Sequence, residues 1–191
     1  MSALRGLAGA AVVLALAGCG TTARVDWAKP GAAAIETIAV LPFENQTAAS
    51  HAGSVVSNLM VSELVATGRL VVLDPSDAAD RLRRENLDLG DPARLPSASR
   101  LGHILSVSHV LQGSVTEYRY KPGVAEVPVV GVTARVVEAV SGDVVWTASH
   151  ARSGSNVFRE DGLAPVAQSI IRDMARHLTA SLGPGPRQGV R

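Results

Sequence analysis

The chain holds one cysteine, and it stands at position 19, directly behind an apolar run. A single thiol forms no disulfide within the chain and cannot supply a zinc site built on two or more thiolates. Whatever fold these 191 residues adopt must therefore rest on a hydrophobic core. The material is present: 47% of the residues are hydrophobic, against 18% charged. That balance belongs to globular chains rather than disordered ones, and the length implies one domain. No apolar run reaches the roughly 18 residues of a spanning helix. A formal charge of +1 and an aromatic share of 3% leave neither the field nor the stacking surface for nucleic-acid binding.

Residues 1–18 read as a processing signal and stay out of the fold argument. Arg5 gives the positive start, and Gly6 to Leu16 (GLAGAAVVLAL) is an eleven-residue apolar stretch, too short to span. Leu16-Ala17-Gly18-Cys19 then resembles the lipobox of bacterial lipoproteins, with Leu16, Ala17 and Gly18 as the signal-peptidase recognition residues. The resemblance implies cleavage before Cys19, a diacylglycerol thioether on its sulfur and a third acyl chain on its amine. Gly20 follows where an inner-membrane retention signal has Asp, so the implied address is the outer membrane, facing the periplasm. Two or more acyl chains hold stably, at about 0.8 kcal/mol per buried CH2. Losing the first 18 residues leaves 173, and losing Arg5 with them leaves 17 basic against 17 acidic residues. Nothing electrostatic is needed for attachment.

Residues 19–36 show no periodicity and contain Pro30-Gly31, which reads as a lipid-anchored tether. Some 16 flexible residues would reach about 22 Å on average. Ile35 to Phe43 reads as a strand apolar on both faces, with regular pairing expected to stop at Pro42. Ser50 to Thr67 carries Val56, Leu59, Met60 and Leu64 on one helical stripe. Leu70 to Leu73 is a second buried strand, and Ser76 is expected to cap a helix over 77–86. Ser97 caps a short helix, His109 to Tyr120 is a strand, and Val129 to Val140 alternates. Ser141-Gly142-Asp143 is hairpin chemistry leading to a partner strand over 144–152. Leu163 to Leu182 is the clearest helix, and residues 183–191 are expected to be a disordered tail. The order is β-α-β-α-α-β-β-β-α. The fold class is mixed α/β, a single sheet over 37–182 with helices on its faces.

Three segments in this order carry a resemblance. Ile38 to Asn45, with Pro42 and Phe43, is similar to the first strand and loop of the CsgG-like curli-secretion lipoproteins and of the TolB amino-terminal domain. His109 to Val115 resembles their third strand, where Gly113 permits close approach. Val136 to Trp146, with Gly142 and Trp146, resembles the terminal hairpin that LpoB-type activators of penicillin-binding proteins share. These are fold motifs. The resemblance implies a periplasmic module that binds partners and does no chemistry.

The residues themselves offer little chemistry. His51, His103, His109, His150 and His177 contain no pair at i, i+4, and no cysteine joins them, so no metal and no cofactor is expected. Ser54 and Ser155 lie outside any G-x-S-x-G, and no P-loop exists. Asp74, Asp77 and Asp80 are accounted for by a helix start. Asn45-Gln46-Thr47 fits a turn. Arg81, Arg83 and Arg84 lie on an outward helix face and are candidates for partner binding. A pore-forming hairpin would need strands of about 9–11 residues with aromatic girdles. The pair over 129–152 has few aromatics and is required for the sheet core. The expected function is thus a non-enzymatic outer-membrane lipoprotein, a protein-binding component of envelope assembly or secretion, with homo-oligomerisation open and the partner unnamed. The alternative is an LpoB-like activator of a peptidoglycan synthase.

Overall fold

The computed structural model describes residues 22–31, 35–87, 96–122, 126–154 and 162–182. In the strand β2 (Thr37–Val40), Ile38, Ala39 and Val40 are all fully buried. A strand apolar on both faces belongs inside a sheet covered on both sides. Accordingly β2 runs parallel to β4 (Val71–Leu73) on one side and to β5 (His109–Lys121) on the other. Pairing breaks at Pro42, which has no N–H to donate. It resumes at β3 (Glu44–Asn45), which also pairs with β5. From Val40 to Glu44 one strand advances four residues while its partner advances three, Leu111 to Ser114, which is a one-residue bulge.

The carboxyl-terminal half is an antiparallel meander: β5 pairs with β6 (Val127–Glu138), and β6 with β7 (Val144–Ser153). Across the sheet the order is β1-β7-β6-β5-β2-β4, where β1 is Thr22–Ala28. Alternation divides its two faces. Ile38, Val40, Leu111, Val130, Val132, Ala134, Val136 and Trp146 share one core with α1 (Ala52–Ala66) and α4 (Leu163–Ser181). Ala39, Leu41 and Val110 share another with α2 (Pro75–Arg84) and α3 (Ala98–Leu105). Met60 and Leu64 of α1 and Ile170, Ile171, Met174 and Leu178 of α4 are almost wholly buried, as their spacing predicts.

The mixed α/β sheet agrees with the sequence reading, and three local expectations are corrected. The segment over 19–36 is not a free tether throughout. Thr22–Ala28 forms the strand β1, antiparallel to β7 from Thr22↔Arg152 to Ala28↔Trp146. Its short alternation of Arg24 and Asp26 with Val25 and Trp27 becomes a strand only because β7 supplies backbone partners. The strand β4 is an edge rather than a buried strand, and Val71 is 56% exposed. The cap of α2 is Asp74, whose carboxylate accepts from the Ser76 backbone N–H at 2.8 Å, with Pro75 opening the helix. Among the described residues, no helix is long and apolar enough to cross a membrane. The signal segment and the tail over 183–191 lie outside the described residues.

Candidate functional site

The densest polar constellation lies where β1 joins the domain. Strand pairing puts Arg24 and Asp26 on the face that β7 turns toward α4, beside His150. His150 is 4% exposed, and its Nε2 stands 2.7 Å from Asp26 Oδ1. Arg24 donates to the other carboxylate oxygen. His177, on α4, accepts the Trp146 indole N–H on Nδ1 at 2.9 Å, and that same nitrogen is 3.7 Å from Asp26 Oδ1. Arg152 on β7 reaches Asp173 at 2.9 Å and Ser169 at 2.6 Å, both on α4. Burial alone would raise the Asp26 carboxyl. Hydrogen bonds from Arg24 and His150, with the charges of His150 and His177, outweigh burial and hold it below the ordinary value of 3.8.

This constellation is a clamp. It ties the first strand to the last strand and the last helix. Among the described residues no hydroxyl nucleophile bonds to His150 or His177, and no group of three or more His, Cys, Asp or Glu side chains could hold a metal. The opposite face of β1 carries Val25 and Trp27, 66% and 46% exposed, in register with Ser149 and Thr147. No motif in the sequence marks Asp26. His109 and His150 lie on the strands β5 and β7 and are buried. The available signal was the two-residue alternation of TARVDWA, too short to stand out without its partner strand.

The fold-motif residues sit where their chemistry requires. Phe43, 5% exposed, lays its ring directly on Gly113: a Cβ there would meet the ring at 2.4 to 2.7 Å. Gly142 turns the β6–β7 hairpin at φ +77, a backbone that other residues rarely adopt. Trp146 is 1% exposed under α4. The structure does not keep Arg81, Arg83 and Arg84 together as one surface. Arg81 is half-buried and donates to the Leu105 carbonyl at 2.8 Å, fastening α2 to the end of α3. Arg83 pairs with Asp80 and Arg84 bonds the Asp80 carbonyl, both on the exposed side. Cys19, Leu16, Ala17 and Gly18 lie outside the described residues.

A family model described as the curli production assembly/transport component CsgG matches residues 27–135, more than half of the chain. The PelC dodecamer from Paraburkholderia phytofirmans is similar at 28% identity and a TM-score of 0.59, covering 83% of this chain and 97% of that one. The lipoprotein GNA1162 from Neisseria meningitidis is similar at 18% identity and a TM-score of 0.60, covering 74% and 99%. CT253 from Chlamydia trachomatis is similar at 14% identity and a TM-score of 0.55, covering 78% and 98%. The last two show a shared fold. No curated protein matches the chain.

Proposed function

This chain belongs to the CsgG family, and from that premise we propose that it is a non-enzymatic outer-membrane lipoprotein, acylated at Cys19, that acts as an oligomeric protein-binding component of envelope assembly or transport. The observation that carries this reading is the likeness to PelC. It is 28% identical and extends over 97% of a chain described as a dodecamer. The family's described role in assembly and transport agrees with a domain whose polar clusters fasten elements together.

The domain makes no pore of its own. The long pair β6–β7 has Val130, Val132, Ala134, Val136, Trp146 and Ala148 buried, so it cannot leave the sheet to line a membrane without emptying the core. Conductance in planar bilayers from the purified acylated protein would contradict this. Arg83 and Arg84, exposed on α2, are the basic groups offered to a partner.

The test is the mass of the acylated protein in mild detergent, by light scattering after size exclusion. A closed assembly of several copies supports the reading. A monomer at all concentrations refutes its oligomeric part and returns weight to a regulator of a peptidoglycan synthase, to be sought by cross-linking in cells.

A further inference from the structure

The strand β1 fixes a distance at the amino terminus. Cys19 precedes Thr22, the first residue of β1, by three Cα–Cα steps. Whatever conformation Gly20 and Thr21 take, three steps span at most about 11 Å. If Cys19 is held at a bilayer surface, the Thr22 end of the sheet stands within that distance of it. Which groups stand there follows from register. Thr22 pairs with Arg152, Arg152 with Val130, and Val130 with Tyr118, so these four residues form one row across the sheet. The strands β5 and β6 continue past this row through Arg119↔Val129, Tyr120↔Pro128 and Lys121↔Val127. Three more residues at about 3.3 Å each carry the hairpin end about 10 Å beyond the Thr22 level. The overhang of the hairpin and the reach of the anchor are the same length.

The overhanging residues suit a headgroup region. Tyr120 is 45% exposed, and a tyrosine presents an apolar ring with a polar tip to a membrane interface. Arg119 and Lys121 flank it, both exposed, with long stems that lie along apolar surface while the charge reaches phosphate. The acidic groups at this end are Glu117, which faces Arg119 at 3.5 Å, and Glu126; Arg152 is taken by Asp173 on α4. At the far end of the sheet, Val140 in the β6–β7 turn is 89% exposed and lies ten or more residues along β6 from Pro128.

We infer that the β5–β6 hairpin end, Arg119–Lys121 with the half-buried Val127, is a second membrane contact, seated among lipid headgroups beside the acylated Cys19. This inference rests on the proposed lipid anchor. It makes the protein a two-point attachment with fixed orientation, in which the strands stand away from the bilayer and the β6–β7 turn faces the periplasm. The occupant is the lipid surface itself. A protein partner at this end is the alternative that the test separates.

The test uses the acylated protein in vesicles of phosphatidylethanolamine and phosphatidylglycerol, with no other protein present. Cys19 is blocked by its thioether, so a second cysteine can be labelled selectively. Tyr120→Cys and, as control, Val140→Cys are each labelled with an environment-sensitive fluorophore, and lipids carrying a nitroxide quencher are added. The expected result is quenching several-fold stronger at position 120 than at position 140, with a blue shift at 120 alone. Lys121→Cys repeats the measurement one residue on. Equal quenching at 120 and 140, or stronger quenching at 140, overturns the inference while leaving the anchor standing. Protein that fails to float with the vesicles overturns both.

Discussion

Replacing Gly113 by alanine puts a methyl group where the Phe43 ring already is. The new Cβ would lie 2.4, 2.5 and 2.7 Å from three ring carbons, whereas carbon pairs prefer about 3.5–4.0 Å. The ring must retreat by about 1 Å, and little room exists behind it. Phe43 is 5% exposed, and its carbonyl oxygen would lie 2.4 Å from a Cβ at Gly53, so the backbone is also hemmed by α1. Overpacking of this kind costs about 1–3 kcal/mol. Full ejection of the ring forfeits a similar amount, about 1.5–3 kcal/mol. Alanine recovers about 0.5–1 kcal/mol relative to glycine in a strand, so the middle of the overpacking range leaves a net loss of about 1–1.5 kcal/mol. Phe43→Leu alone should cost less than about 1.5 kcal/mol. In the double variant leucine has no atoms where the outer ring carbons were, so the two losses should fall short of their sum by about 1–2 kcal/mol. Urea unfolding followed by Trp146 fluorescence, in a Trp27→Phe background, reads all four corners of the cycle. A Gly113→Ala loss under about 0.5 kcal/mol, or an additive cycle, refutes the reasoning that the ring requires this glycine.

Three further outcomes follow from the same structure. Asp26→Asn removes the charge that His150 and Arg24 bond and should cost about 1–3 kcal/mol at neutral pH. Because the folded Asp26 titrates below 3.8, that contribution is complete above this value and disappears as pH falls through the lowered one; parent and variant urea midpoints should therefore converge in acid. His109 is buried, and burial holds its pKa below 6.5 against the opposing pull of Glu138. The unfolded chain takes up a proton that the folded one refuses, so stability falls as pH drops below 6.5; His109→Leu should flatten the difference between midpoints at about pH 7.5 and about pH 5.5. Gly142→Ala forces an L residue to φ +77 in the β6–β7 turn and should lower stability by about 1–2 kcal/mol, measured by thermal unfolding.

Where the sequence could be read, a local pattern and a tertiary role coincided. Val130, Val132, Ala134 and Val136 alternate because one side of β6 is core, and the stripe from Val166 to Leu178 repeats because α4 lies on that core. Pro42, Gly113 and Gly142 were legible because each answers a backbone constraint that its neighbours announce. The clamp was not legible. Asp26 and His150 are 124 residues apart, and neither belongs to a spacing motif. An edge strand such as β1 takes its stability from pairing, so a seven-residue segment with one Trp and one Val looks like linker until β7 is placed beside it. The role of Arg81 was hidden for the same reason: its acceptor, the Leu105 carbonyl, is 24 residues on.

The pairing of β1 with β7 also orders events in time. The chain emerges amino terminus first, so β1 is made before every other element and needs one of the last. Closing a loop of more than 100 residues is slow, since its entropy must be lost before the strand hydrogen bonds repay any of it. Until β7 is available, Thr22–Ala28 has no ladder to join. Until β1 arrives, β7 presents an unpaired edge that invites pairing with another chain. The strand made first is therefore among the last to pair, and the interval before that closure is when this protein is most exposed to misassembly.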